Sequence, residues 1–570
     1  MAYVRVSDDL NTLHAFLAYE DRHLAKQLGG KWNPTMKSWD FIFNPPQVLP
    51  ILEVLVQKVP NFQVEKSVMD RLEAKQNELD AVGTIIAAAE RNDPVEVNVP
   101  GLRMPLYNYQ KHGVIFGTAL SSGLLIADSM GLGKSVQGIS IALIRRQEGA
   151  QTCLVVCPAS LKYNWLEEIR KFAGEEATVI EGDVTERMAL WHANTGFFKI
   201  VNYEIFVRDL FYEGKDKGDG TKEEDTRIPD ADLVLKRGFD VVIVDEIHLI
   251  KTHKAKRSKA LKKMRARRRI GLTGTPLDGR LEELHSIYEF LQPGLFRNRF
   301  QFLQHHANFD YWGGVKSYKH VDEFKRTIRP FYVRRLKSEV LKDLPEKVYQ
   351  DVYVEMSAAD MKTYKELAKR KHEITETAEA MTAIIRCRQF CDFPGILDLA
   401  GKEAKCDKLL ELLEDILSDP KVKVLIFSQY RMVTDRLVKR LPYQLLYMSG
   451  DTPHKERQAM CHKFNDDPEV RILVMTDAGA LGLNLQGASY VIHYDDHYSP
   501  SVMRQREDRA HRLGQKACVN VVRFICKDTV EERVRGILAA KAIITGAVLD
   551  EDCSEFAVGG VKPKDLLEAL

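Results

Sequence analysis

Residues 127–135 read ADSMGLGKS. This is the close of a phosphate-binding loop with one residue out of place. The usual pattern is G-x-x-x-x-G-K-[ST]. Gly133, Lys134 and Ser135 supply its end, but Asp128 stands where the first glycine belongs. The preceding GLLIA (123–127) is a short apolar strand, and SVQGISIALIRR (135–146) is a helical pattern. A phosphate cradle requires that context. Backbone N–H groups at the helix N-terminus meet the phosphates, Lys134 neutralises charge, and Ser135 can hold Mg²⁺. Taken alone, GLGKS is also compatible with a plain glycine turn.

VVIVDEIH (241–248) argues for the cradle. A buried strand delivers Asp245 and Glu246 at its carboxyl end, Asp245 placed for Mg²⁺ and Glu246 for the attacking water. In QREDRAHRLGQ (505–515), Arg506, Arg509 and Arg512 recur every third residue and share one helical neighbourhood. They are either a charged helix face or, for Arg509 and Arg512, arginine fingers offered across a cleft.

Further strands extend the pattern. CLVVCP (153–158), VLIFSQ (424–429), ILVMTD (472–477) and YVIHYD (490–495) are Val/Ile/Leu-rich and end in polar residues, as buried parallel strands do. They fall into two groups, so two α/β lobes are expected. Residues 297–400 carry helical periodicity and read as a helical insertion. The polar, turn-rich stretch 213–229 reads as an exposed loop. In the first 95 residues, GGKWNPTMKSWDFIFNPP (29–46) reads as a hairpin, QVLPILEVLVQKV (47–59) as a helix, and about 66–91 as a charged helix.

Bulk properties bound these readings. The chain has 570 residues, 45% apolar and 29% charged, with a net charge of +2. That suits a soluble multidomain protein and predicts no globally basic surface. Nine scattered cysteines point to a reducing compartment rather than a disulfide framework. The start resembles no signal peptide, and the apolar stretch 536–549 is too short to span a bilayer. A soluble, membrane-free protein is expected, cytoplasmic or nucleoid-associated in a bacterial or viral setting and nuclear in a eukaryotic one. One local run, 251–269, holds eleven Lys or Arg and no acid. It is a solvated basic helix or a phosphate-contacting surface.

In order, the chain carries YNYQ (107–110), ADSMGLGKS, VVCPASLKYNW (155–165), VNYE (201–204), DEIH, GLTGTPL (271–277), VLIFSQY (424–430), MSGDTPHKERQ (448–458), TDAGALGLNLQGAS (476–489) and QREDRAHRLGQ. This series resembles the Swi/Snf-type branch of superfamily-two helicases over about residues 96–545. The resemblance implies two RecA-like lobes, parallel sheets flanked by helices, with helical insertions and a small α+β N-terminal module. It implies an N-terminal module at 1–95, a first lobe at 96–296, helical protrusions and linker at 297–400, a second lobe at 401–545 and a tail at 546–570.

The resemblance also implies roles. Gln110 would read adenine. Asp128, Met130, Gly131, Leu132, Gly133, Lys134 and Ser135 would form the nucleotide cradle, with Gln505 in the cleft beside Gly482, Asn484, Arg509 and Arg512. Lys134, Asp245, Glu246, Arg509 and Arg512 would be catalytic, and Ser135 with Asp245 would hold Mg²⁺ for ATP. Pro158, Ser160, Asn202 and Tyr203 in the first lobe, and Ser428, Gln429, Thr476 and Asn484 in the second, would face DNA. Thr273 and Thr275 would couple nucleotide state to DNA. FYVRRLKSEVLKDLPEK (331–347) resembles the segment joining the lobes, and DTVEERV (528–534) a brace returning to the first. Cys387 and Cys391 match a structural helix rather than a metal site. Two departures stand out. Ser129 replaces the family's usual glutamate, and Ile247 replaces a small residue. In this branch Asp128 is a family marker.

The N-terminal hairpin, with Trp32, Trp39, Lys31 and Lys37, is similar to the HARP-type module of annealing helicases. Its tryptophans would contact branched or single-stranded DNA, or else staple a small core. The expected activity is a DNA-dependent ATPase, a monomeric translocase on double-stranded or forked DNA that remodels forks or anneals strands. The alternative is an ATP-driven remover of DNA-bound protein.

Overall fold

The structure, a computed structural model, describes residues 2–6, 12–42, 45–193, 196–211, 231–276, 280–296, 298–311, 313–341, 344–369, 377–477, 479, 483–512, 514–536 and 556–557. The loop expected at 213–229, Gly482 and nearly all of the tail lie outside these residues.

The first lobe is a seven-stranded, all-parallel sheet. Its order is Tyr332–Val333, Gly123–Ile126, Ala266–Leu272, Phe239–Asp245, Cys153–Cys157, Phe198–Asn202 and Ala177–Val179. The second lobe repeats the architecture with six parallel strands: Lys347–Val354, Val519–Cys526, Tyr490–His493, Val424–Ser428, Ile472–Thr476 and Leu445–Met448. Central strands such as Cys153–Cys157 and Val424–Ser428 are buried along their whole length. That is why they read as unbroken apolar runs rather than alternating ones.

The segment 297–400 is not simply helical. It contains the antiparallel pair Ala307–Phe309 and Val315–Tyr318, and two strands that complete the two large sheets. Tyr332–Val333 pairs with the strand leading into the phosphate loop, and Lys347–Val354 forms the outer edge of the second lobe. The chain therefore changes lobes between residues 334 and 346. Strands this short, or this exposed on one face, give little hydrophobic periodicity to read.

The N-terminal module is a five-stranded sheet in the order Lys31–Asn33, Ser38–Ile42, Thr12–Phe16, Tyr3–Val6 and Gln63–Val64. Trp32 and Trp39 are paired across the hairpin with ring centroids 5.6 Å apart, edge to face. The helix Lys66–Glu90 then runs to the first lobe, where Val82 joins the core. The basic run 251–269 is divided between the helix Lys256–Lys263 and the strand Ala266–Leu272. Several of its charges are engaged within the lobe: Lys251 with Glu283, Lys262 with Glu289 and Arg267 with Asp240. Described residues of 528–536 stay on the second lobe, with Val530 and Val534 in its core and Glu531 paired to Lys405. Among the described residues no helix is long and apolar enough to cross a membrane.

Candidate nucleotide site

The phosphate loop leaves the strand Gly123–Ile126 and enters the helix Lys134–Gln147. Gly131 and Gly133 adopt left-handed φ values of 84° and 74°, which only glycine takes without strain. Lys134 Nζ donates to the Asp128 carbonyl at 2.9 Å and to the Ser129 carbonyl at 3.4 Å, curling the loop around its own lysine. Burial lowers the Lys134 pKa even though Glu246, Asp128 and Asp245 oppose it. Gln110 Nε2 donates to the Leu132 carbonyl at 3.1 Å, and its Oε1 accepts from the Tyr107 N–H at 3.0 Å. Met130 covers Gly274, where an added Cβ would lie 2.4 Å from its Cγ. The GLTGTPL segment thus sits directly under the loop.

Asp128 does not face a phosphate. It is fully buried, and its two carboxylate oxygens accept from Arg335 Nε at 2.9 Å, Arg335 Nη2 at 2.6 Å and Gln137 Nε2 at 2.9 Å. Within the cradle it is the Asp128 backbone carbonyl that meets Lys134, while the side chain is engaged by the linker. A carboxylate would repel phosphate there, and this one instead anchors the linker.

Asp245 ends its strand with Oδ2 accepting from Trp165 Nε1 at 2.9 Å and Oδ1 accepting from the Glu246 N–H. Burial, reinforced by the Glu246 charge, raises its pKa to about 7. Glu246 sits at φ 48°, a left-handed position for a non-glycine residue, and such local strain clusters at functional sites. Burial pushes its carboxyl up, but His248, Lys134 and Arg509 outweigh that and hold it below the ordinary range. His248 Nδ1 lies 3.0 Å from Thr273 Oγ1, and the Thr275 N–H donates to the same hydroxyl. Ile247 is buried against Gly271, so the branched residue in the tetrad is accommodated by the missing Cβ opposite.

The second lobe brings Arg509 and Arg512 to this surface. A Cβ on Gly131 would meet Arg512 Nε at 3.4 Å, so the arginine lies over the phosphate loop. Both arginines donate to the Leu483 carbonyl, Arg512 at 3.1 Å and Arg509 at 3.4 Å. Burial and the neighbouring Arg512 push the Arg509 pKa down to about 10, and burial lowers Arg512 as well. Arg506 is different: it is clamped by Asp477 at 2.5 and 2.8 Å within its own lobe. Gln505 is half-buried beside them.

Several residues expected to face DNA do other work. The Tyr203 hydroxyl donates to the Asp245 carbonyl at 2.8 Å from a buried position, bracing the acidic strand end. Thr273 is fully buried against His248. Ser428 is fully buried and donates to Asp495. Asn202 is buried and donates to Glu204 at 2.7 Å, and Thr476 is buried with its hydroxyl accepting from the Gly479 N–H. These five side chains are held by partners within the protein. Pro158, Ser160, Thr275 and Gln429 retain partial exposure, and Asn484 is exposed.

Two side chains on the helix Lys162–Ala173 were not singled out as site residues: Trp165, which holds Asp245, and Glu168. The buried Glu168 carboxyl accepts from the Ser135 hydroxyl and feels Arg512, yet burial still raises its pKa. Their three-residue spacing puts them on one helix face, the only sequence signal that could have flagged them. Cys391, Cys526 and Glu531 approach one another in the second-lobe core. Glu531 already accepts from Lys405 at 2.6 Å, so a lysine supplies the positive charge a metal would.

A glycine-rich loop, an acidic strand end and two arginines from a second parallel sheet thus meet in one cleft. The SNF2-related domain matches residues 72–396, and the helicase conserved C-terminal domain matches residues 404–514. An uncharacterized ATP-dependent helicase of Mycoplasma pneumoniae is 32% identical over 471 residues, covering 79% of this chain and 43% of that protein. The putative ATP-dependent helicase/translocase YwqA of Bacillus subtilis is 29% identical over 502 residues, covering 82% and 51%. The mouse DNA annealing helicase and endonuclease ZRANB3 is 28% identical over 469 residues, covering 79% and 41%. Among solved structures, the Sulfolobus solfataricus SWI2/SNF2 ATPase core in complex with dsDNA is 26% identical and covers 79% of this chain and 94% of that one, at a TM-score of 0.38. The chain belongs to the SNF2 family of ATP-dependent helicases. It spans 41–51% of the length of the three relatives named.

Proposed function

We propose that this chain is a DNA-dependent ATPase that translocates on duplex DNA and acts on forked or branched substrates. One observation carries the ATPase reading. Lys134, Arg509 and Arg512 converge from two lobes, Arg509 buried and the other two half-buried, each with its pKa lowered by desolvation. Desolvation outweighs the nearby carboxylates at all three, and a bound triphosphate would supply further charge in favour of their protonated forms.

In that reading the loop N–H groups and Lys134 bind the phosphates, and Gln110 shapes the floor of the loop. Ser135 and Asp245 would hold Mg²⁺, which when bound neutralises charge on the phosphate oxygens. Glu246 orients the attacking water and takes its proton, with His248 and Thr273 fixing its position. Arg509 and Arg512 stabilise charge that grows in the transition state. They come from the second lobe, so hydrolysis and lobe closure are one event.

The fork preference rests on the N-terminal module. Trp39 packs on the module core, whereas Trp32 leaves 49% of its surface to solvent. An exposed ring suits stacking on an unpaired base. Resemblance to a relative named as a DNA annealing helicase points the same way. The test is ATPase rate against duplex, single-stranded, forked and RNA activators. Forked DNA is expected to stimulate most, and Trp32→Ala to bring the fork-to-duplex ratio to one. Equal stimulation of the wild type by plain duplex ends the fork reading. Displacement of a bound protein without fork preference favours the roadblock remover instead.

A further inference from the structure

The segment joining the lobes is not a passive connection. Val333 and Arg335 extend the first-lobe sheet, their carbonyls accepting from the Ala127 and Ser129 N–H groups at 2.6 and 3.0 Å. Arg335 then turns its guanidinium into the lobe. It forks onto Asp128, donates to Gln137 Oε1 at 2.8 Å and to the Tyr109 carbonyl, and lies 5.4 Å above the Tyr109 ring. Through Asp128 it fixes the carbonyl that receives Lys134. Two residues later Lys337, also buried, donates to Asp508 Oδ1 at 2.7 Å and to the His511 carbonyl. Those groups flank Arg509 and immediately precede Arg512. Leu336 between them is extended, with φ −88° and ψ 150°. Residues 335 and 337 therefore leave the chain on the same side.

We propose that Arg335 and Lys337 are positioning residues forming a strap, which sets the register between the phosphate loop of one lobe and the arginine fingers of the other. Only one extended residue separates the two grips. The distance from Asp128 to Asp508 is thus fixed by backbone geometry rather than by free docking of two lobes. Cutting the Lys337 end leaves the loop intact but lets the fingers drift. Cutting the Arg335 end loosens the loop and the strap together. This rests on the ATPase reading above.

The experiment measures kcat and KM for ATP on the full chain with saturating duplex DNA, alongside thermal melting. Lys337→Gln is expected to lower kcat about tenfold to a hundredfold, as an ångström-scale misplacement does, with KM within about twofold. Arg335→Lys keeps the charge but loses the fork, and is expected to raise KM about tenfold and lower kcat as well. The double variant should have the kcat of Lys337→Gln alone, because the strap is already cut. Lys337→Arg should restore most of the rate. If Lys337→Gln does not fold, Asp508→Asn cuts the same pair from the other side, together with the Lys347–Asp508 pair at 3.2 Å, and must lower kcat at least about tenfold at unchanged KM. Losses in kcat that multiply in the double variant overturn the strap, as does a Lys337→Gln enzyme with wild-type kcat. Failure of the wild type to hydrolyse ATP, or full activity in Glu246→Gln, would instead overturn the ATPase reading.

Discussion

Two sets of cations drawn wholly or partly out of solvent sit in this molecule and behave in opposite ways. In the second-lobe core, Lys405 is almost fully buried, donates to Asp392 at 2.8 Å and Glu531 at 2.6 Å, and has its pKa raised well above the ordinary value despite burial. In the cleft, Lys134, Arg509 and Arg512 are lowered instead. The difference lies in the partners. Lys405 has two carboxylates in hydrogen-bond reach, whereas the described hydrogen bonds of Arg509 and Arg512 go to the carbonyl of Leu483. A buried ion is tolerated when it is paired, and costs stability when it is not. The core network is architecture. The cleft cations carry the functional reading proposed above.

The comparison breaks first at Arg509. Arg509→Met is expected to cut ATP hydrolysis about 10³–10⁵-fold, the range for an arginine finger. It should nevertheless leave the melting temperature unchanged or higher, since an unpaired buried charge is gone. Single-turnover hydrolysis and calorimetry on one preparation check both halves. A marked drop in stability would show that Arg509 is architectural after all.

Glu246→Gln comes next, with hydrolysis expected to fall about 10²–10⁴-fold while nucleotide binding persists. Equilibrium titration with a fluorescent nucleotide separates the two effects. Lys405→Met sharpens the other side. It strands Asp392 and Glu531, and is expected to cost about 3–5 kcal/mol in urea unfolding, with any residual folded fraction keeping its KM for ATP.

His306 shows a third solution, a buried base that stays neutral. Burial, with His305 alongside, pushes its pKa down to about 4. The folded value lies below the unfolded one, so its neutral form supports stability above about pH 6.5 and that support fades as pH falls toward 4. The expected loss is about 3 kcal/mol across that window, read from urea melts. His306→Leu should flatten it.

How much of this was legible depends on how local the signal is. The strands around residues 153, 241, 424, 472 and 490 were readable because complete burial imposes an unbroken apolar run. The tryptophan hairpin was readable from its turn residues. The strands at 332–333 and 347–354 were not. One is two residues long, and the other lies at a sheet edge with Val348, Tyr349 and Tyr353 turned to solvent. At the site, the loop, the acidic strand end and the arginine triplet announce themselves through spacing. Trp165 and Glu168 do not, because their importance comes from Asp245 and Ser135, about 80 and 30 residues away in the chain.

By itself the sequence determined that this protein has a glycine-rich loop, an acidic pair at a strand end and a spaced set of arginines in family order, on two parallel α/β lobes. Each of those features is a short stretch whose chemistry depends on near neighbours. Only the tertiary structure decided what Asp128 is for. Its partner Arg335 lies 207 residues away, and no periodicity links them. The structure likewise decided that Tyr203, Thr273 and Ser428 are buried on partners within the protein. Whether a polar side chain meets solvent or a buried partner is set by packing of distant segments, which the linear pattern does not encode.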